Sequence, residues 1–282
     1  MIIKQIINNN VIFVADDNGH EMVLMGRGIG FGKKAGDNPD VARVEKLFAR
    51  FDQKQMSMLK RLAEEIPYEH LHIANEIINY AQVSLGKKLD ESLFIALTDH
   101  LNFAISRSKQ GIVLPNAMLW EIRHYYNHEY RIGIEALAIV KRYLRVELPD
   151  DEAGFVAMHI LNSELNLGME HANAMTRIIQ DVLNIVQYHF RIMIDEESLD
   201  YERFVTHLKF FIQRTMHETQ PQIWEKNMQN LIRIQYEEAY KCAKKIAAYM
   251  KRTTPYSVPD EELIYLTVHI QRLLLTSKQL DG

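Results

Sequence analysis

Cysteine is nearly absent. Cys242 is the only one in 282 residues, so no disulfide can form within the chain, and a reducing compartment is expected. Proline and glycine are scarce, at 7 and 12, which excludes a collagen-like or linker-dominated chain. No uninterrupted apolar run approaches the ~20 residues of a membrane span. The opening MIIKQIINNNVIFV lacks the charged start and small-residue cleavage site of a secretion signal. A surplus of basic charge is missing too. Lys and Arg number 33 against 37 Asp and Glu, a net charge of -4, so any contact with nucleic acid must be local. What remains is an ordinary globular composition, 47% hydrophobic and 25% charged, long enough for two or three domains. The expectation is a cytoplasmic, multidomain protein without membrane insertion.

Residues 1–56 differ in kind from the rest. Ile2, Ile3, Ile6, Ile7 and then Val11–Val14 are short β-branched and aromatic runs. Asp16-Asp17-Asn18-Gly19 follows, and Asn-Gly favours a hairpin because both residues tolerate positive φ. Glu21–Met25 reads as the returning strand. Gly26, Gly28, Gly30 and Gly32 then alternate with Arg27, Ile29 and Phe31, a pattern that disfavours helix and permits close backbone approach. A small antiparallel β domain is expected, too small to bury much by itself and therefore in need of a partner copy. From residue 57 the apolar period becomes helical, as in Ile73, Ile77, Ile78 and Ala81, or Ile178, Val182, Ile185 and Val186.

The helical part is duplicated. PDDEAGFVAMHI (149–160) matches PDEELIYLTVHI (259–270), and LTDHLNF (97–103) matches FVTHLKF (204–210). The offset is 107 at the first histidine and 110 at the second, so each unit is a whole domain rather than a short solenoid repeat. The fold class expected is therefore a small β domain followed by two homologous all-α domains, at 1–56, 57–170 and 171–282, with the inner boundary around Gly168-Met169-Glu170.

Four histidines sit at matched places in the two copies: His100 and His159, then His207 and His269. Each lies in a helical apolar stretch, and the second of each pair follows proline and acids at the helix start, where the dipole favours them. A packed histidine bonded to a carbonyl is the bland alternative, and the repetition of type and position weighs against it. Elsewhere His124 and His128 lie four apart, but no acid occupies the general-base place of a metalloprotease motif, so a solvated face is expected. Cys242 reads as packed on an apolar helix face. Asn8-Asn9-Asn10 and MGRGIGFGKK (25–34) combine amides, an arginine, an aromatic and glycines, a mixture suited to RNA. A phosphate cradle would need the lysine and hydroxyl of a P-loop, which are absent. A tight hairpin with a basic end is the structural alternative.

Together these features resemble the bacterial transcriptional antiterminators of the beta-glucoside operon type. The carriers are INNNVIFV (7–14), MGRGIGFGKKAGD (25–37), LTDHLNFAI (97–105), LPDDEAGFVAMHI (148–160), FVTHLKFFIQR (204–214) and VPDEELIYLTVHI (258–270). The resemblance implies a homodimeric co-antiterminator domain that binds an RNA hairpin in nascent messenger, followed by two phosphotransferase-system regulation domains. Asn8, Asn10, Gly26, Arg27 and Phe31 match positions used around RNA. His100, His159, His207 and His269 match phosphate acceptors. The implied partners are the antiterminator hairpin, the general phosphocarrier protein and a sugar-specific transporter of that system. The first pair is expected to mediate inhibition by the transporter, and the second activation by the phosphocarrier. No cofactor, metal or enzymatic activity is implied. Three positions depart from the common pattern: Gln5 for lysine, Gly32 for glutamine, and Thr206 where Asp99 stands in the first copy. Two other classes are weighed against this. A metal-dependent hydrolase would require a ligand cluster with acidic members. A DNA-binding regulator carrying the same sensory domains would require a helix-turn-helix at the N-terminus.

Overall fold

The computed structural model describes residues 1–49, 51–165, 169–216, 225–255, 257–275 and 277–279. The expected boundary residue Gly168 lies outside them. Four strands come first: β1 (Ile2–Asn8), β2 (Val11–Ala15), β3 (Glu21–Met25) and, after a 3-10 turn at Val41–Arg43, β4 (Lys46–Phe48). They form one antiparallel sheet in the order β1-β2-β3-β4. Asp16–His20 makes the turn between β2 and β3, with Gly19 at φ +84° as the Asn-Gly pair requires. The fourth strand was not expected, because three residues carry no alternation to detect.

The helices follow: α1 (Gln53–Glu65), α2 (Tyr68–Leu85), α3 (Ser92–Lys109), α4 (Leu119–Tyr125), α5 (Asn127–Leu144), α6 (Asp150–Leu165), α7 (Met169–Phe190), α8 (Leu199–Met216), α9 (Lys226–Gln235), α10 (Glu237–Thr253) and α11 (Asp260–Leu274). Short strands β5 (Ile192–Met193) and β6 (Lys278–Gln279) pair antiparallel. Their ends have local causes. Asp52 and Gln55 close a capping box on α1, and α2 stops at Gly86 in the left-handed conformation. α6 and α11 each start directly after a proline with three acids in the first turn.

The chain divides into two compact units. One comprises Met1–Leu119 with Tyr126–Leu167, the other Trp120–Tyr125 with Gly168–Gly282. In the first unit the sheet buries both faces. Ile3, Ile12, Val14, Leu24 and Ile29 form one small cluster. Val11, Val23, Met25 and Phe48 join a larger one with Leu59 and Leu62 of α1, Ile73 and Ile77 of α2, and Phe94 and Leu97 of α3. Phe48 and Phe94 approach to a ring separation of 4.7 Å. The small sheet therefore obtains much of its apolar burial from helices of its own chain, where the sequence suggested a partner copy as the source. In the second unit, Val182 and Val186 of α7, Phe204 and Leu208 of α8, Cys242 and Ile246 of α10, and Ile264 and Ile270 of α11 are buried. No helix among the described residues is long and apolar enough to cross a membrane.

Candidate functional site

Each repeat brings its two histidines together. His100 on α3 and His159 on α6 have ring centroids 4.9 Å apart. His207 on α8 and His269 on α11 stack at 3.8 Å with an interplanar angle of 28°. All four are half-buried. The arrangement follows from the sequence. One histidine of each pair sits mid-helix, the other about two turns into a helix that opens on proline, and those two helices pack against each other.

Beneath each pair lies a buried ion pair. In the first unit Arg107 Nη2 donates to Glu152 Oε1 at 2.7 Å, and His100 Nε2 lies 3.0 Å from Glu152 Oε2. In the second, Arg214 donates through Nε and Nη2 to the two oxygens of Glu262 at 2.7 and 2.8 Å. Glu152 and Glu262 are only 3% and 2% exposed, so both carboxylates depend on these partners. Burial alone would raise Glu152, but the contacts with His100 and Arg107 outweigh it and hold the carboxyl below the usual range. The sequence reading did not single out these four residues. The signal was present: arginine follows the first histidine by seven residues, and glutamate precedes the second by seven, in both copies. Seven residues are two helical turns, which places each on the face of its histidine.

The repeats differ around the first histidine. Tyr265 stands 2.8 Å from His207 Nδ1 through its hydroxyl, with Arg214 above its ring at 4.6 Å. The equivalent residue near His100 is Phe155, at a ring separation of 5.7 Å, and it has no hydroxyl to offer. The departure noted at Thr206 has a smaller effect, since Asp99 and Thr206 are both exposed.

Burial pushes His159 down to about 3, with the His100 charge adding to the effect. Burial likewise pushes His269 down to about 4, aided by His207, Arg272 and Arg214. His207 is lowered by burial first and by the two arginines after it. Neutral imidazoles at pH 7 keep a lone pair, the requirement for a nitrogen that accepts a phosphoryl group. Acidification has a definite sign. An unfolded histidine takes up its proton near ~6.5, whereas His159 and His269 in the folded chain do not until much lower pH. Stability is therefore expected to be full above pH ~6.5 and to fall continuously through pH 5. Replacing both residues with phenylalanine is expected to flatten that fall in thermal melts between pH 7.5 and 5.

At the other end of the chain, the structure brings the asparagine turn and the glycine loop side by side. Gly26 N–H donates to Asn10 O and Gly30 N–H to Asn9 O, both at 2.9 Å. Asn8 Oδ1 accepts from the amides of Asn10 and Val11 at 2.7 and 2.9 Å, while its Nδ2 donates to Ala63 O of α1 at 2.7 Å. Asn10 Oδ1 accepts from Gly28 N–H at 2.8 Å. The two asparagine side chains thus shape the loops. The glycines serve approach within the chain: a Cβ at Gly26 would lie 1.7 Å from Arg43 O. Arg27 is exposed and Phe31 is 71% exposed, so these two project from the shaped surface. An exposed aromatic and an exposed arginine are the side-chain types on which unpaired bases can stack.

The remaining candidates are occupied locally. His124 Nδ1–H donates to Trp120 O at 2.7 Å, and His128 Nε2 pairs with Ser84 Oγ at 2.9 Å. Cys242 is buried and its thiol is pushed up to about 12. Among the described residues no group of three or more His, Cys, Asp or Glu side chains is placed to hold a metal.

Comparison with known proteins defines the class. The CAT RNA binding domain family matches residues 1–57, and the PRD domain family matches 75–163 and again 180–273. This is an RNA-binding domain joined to two regulation domains. Transcription antiterminator LicT of Bacillus subtilis is 46% identical over 97% of the chain and 99% of its own length. The beta-glucoside operon antiterminator of Dickeya chrysanthemi is 41% identical over 97% of the chain and 96% of its length. The crystal structure of GlcT CAT-PRDI matches with a TM-score of 0.53 and 34% identity, over 57% of this chain and 96% of that one. The chain belongs to the LicT and beta-glucoside operon family of transcription antiterminators.

Proposed function

We propose that the protein holds an antiterminator hairpin in the nascent messenger of a sugar-utilisation operon, so that an overlapping terminator cannot form. It acts as a homodimer in the cytoplasm and has no enzymatic activity of its own. Its activity is set by phosphorylation of His100, His159, His207 and His269. The donors are a sugar-specific transporter acting on the first pair to inhibit, and the general phosphocarrier acting on the second pair to activate. The observation that carries this is the duplication of the whole arrangement: two neighbouring histidine rings beside one Arg–Glu pair with a buried carboxylate, in both repeats. A structural histidine has no reason to bring a second one with it. The RNA face is assigned to Asn8, Asn10 and Gly26 as shape and to Arg27 and Phe31 as contact. The domain limits are 1–56, 57–170 and 171–282.

Each histidine changed singly to alanine and to aspartate, read through a terminator–reporter fusion with and without inducing sugar, tests the control. Changes at His100 or His159 are expected to alter the uninduced state, and those at His207 or His269 the induced state. Eight variants indistinguishable from the parent would show that the histidines are structural. For the RNA face, Arg27→Ala and Phe31→Ala are each expected to weaken binding of a cognate hairpin by roughly 1–3 kcal/mol. Binding that is unchanged in a gel-shift titration at moderate salt would remove both residues from the interface.

A further inference from the structure

Resting on that reading of the histidines as phosphate acceptors, we infer that the two repeats accept phosphate on different ring nitrogens: His100 on Nδ1 and His207 on Nε2. The partners of each ring decide this. His100 Nε2 and Glu152 Oε2 face each other at 3.0 Å as an ion-pair contact, both shut off from solvent and neither with a hydrogen-bonding partner among the described residues, so a bare lone pair on Nε2 would be set against the carboxylate. A carboxylate only accepts, so the proton sits on Nε2. Arg107 on the other carboxylate oxygen keeps the group ionised. Nε2 is thus both protonated and inaccessible, and the lone pair of His100 is on Nδ1.

In the second repeat the opposite nitrogen is taken. His207 Nδ1 is 2.8 Å from the Tyr265 hydroxyl, which also lies 3.4 Å from the backbone carbonyl of His207 itself. The hydroxyl donates its proton to that carbonyl, so its oxygen accepts from Nδ1–H. Glu262 is occupied by both donors of Arg214 and does not compete for the ring. The lone pair of His207 is then on Nε2. One substitution between the copies, Phe155 against Tyr265, accompanies the exchange.

The transfer step balances without a further reactant. The donor is a phosphorylated, protonated imidazole of a carrier protein. The acceptor lone pair forms the new N–P bond as the donor N–P bond breaks, and the donor ring leaves neutral. The positive charge arrives on the acceptor ring. On His100 it faces the Glu152 carboxylate through Nε2–H. On His207 the Nδ1–H stays hydrogen-bonded to the Tyr265 oxygen, and the ring carries the positive charge beside the phosphate it has received. Glu152 and Tyr265 are therefore positioning residues that fix the tautomer.

The test uses the full chain labelled with 15N-histidine. Long-range 1H–15N spectra of the unmodified protein at pH 7.5 report each tautomer. The same spectra, after incubation with the phosphorylated sugar-specific transporter for His100 and with the phosphorylated phosphocarrier protein for His207, report which nitrogen carries phosphate. The expected result is Nε2–H and Nδ1-phosphate at His100, with Nδ1–H and Nε2-phosphate at His207. Tyr265→Phe, its folding checked by the amide spectrum, is expected to shift the tautomer ratio of His207 by about fivefold, as loss of one ordinary hydrogen bond would. Glu152→Gln is expected to release the preference at His100. Phosphate on the expected histidines but on one common nitrogen overturns the inference and leaves the phosphorylation reading standing. Tautomers as assigned with no phosphate on either ring overturn both. A tautomer ratio unmoved by Tyr265→Phe shows that the hydroxyl does not position the ring.

Discussion

Arg214→Ala is expected to destabilise the second unit by roughly 3–5 kcal/mol, the cost of leaving a buried charge without its partner. Glu262 is 2% exposed, and Arg214 supplies both of its charge-assisted hydrogen bonds. With the guanidinium gone, the carboxylate must be protonated, drag in water or force the helices apart. The reverse change is milder. The Arg214 side chain is 27% exposed, so after Glu262→Gln it recovers part of its hydration and keeps the amide oxygen as an acceptor. The first repeat supplies an internal control. Arg107 makes one contact to Glu152, and Glu152 retains His100 when Arg107 is removed. Arg107→Ala should therefore cost less than Arg214→Ala. Calorimetry of the full chain, with the two units followed as separate transitions, checks the order. Equal losses in the two variants would mean that the bidentate geometry of the second pair carries no extra stability.

The same residues show what was readable from sequence and what was not. The histidine pairs were legible because duplication put the same letter at the same place twice, and internal repetition needs no knowledge of the fold. Arg107 and Glu152, or Arg214 and Glu262, were equally repeated. They were passed over because arginine and glutamate are expected on any solvated helix face, and only the packing of α3 on α6 and of α8 on α11 shows them pointing inward. Strand β2 and the Asn-Gly turn were legible from a short β-branched and aromatic run and from turn chemistry. β4 was not, since its pairing with β3 depends on a loop of some twenty residues closing back. The expectation that the sheet needs a second copy followed from its size. It missed Phe48 and Met25 entering the same core as Phe94, because nothing local in the first 56 residues announces which helices will cover them. Asn8 shows the converse limit. Its residue type pointed to base reading, while the structure has its side chain bridging Val11 and Ala63, where it holds the loop in shape.

The glycine loop gives the other large effect. Gly26→Ala is expected to destabilise the sheet by at least the ~3 kcal/mol at the upper end for overpacking. The added Cβ would meet Arg43 O at 1.7 Å, Arg43 C at 2.8 Å and Glu45 N at 3.3 Å, all of them backbone atoms that no rotamer change can move aside. Glu45 N–H is bonded to Met25 O at 2.8 Å, and the Arg27 amide donates to the Glu45 side chain at 3.2 Å. Displacing the 43–45 segment therefore breaks the tie beside β4 and releases the loop that presents Arg27. Gly32 provides the contrast within the same alternating run. Its φ is +69°, but nothing lies within 4 Å of a Cβ placed there. Gly32→Ala meets only the left-handed backbone penalty of about 1–2 kcal/mol. Thermal melts of the full chain should rank Gly26→Ala far below Gly32→Ala, and titration with a cognate hairpin should show the Gly26 variant losing more affinity than Arg27→Ala, because it disorders the loop that carries Arg27 rather than removing one contact. A Gly26→Ala protein that melts with the parent would mean that strand β4 and the Arg43 turn are not held against the sheet.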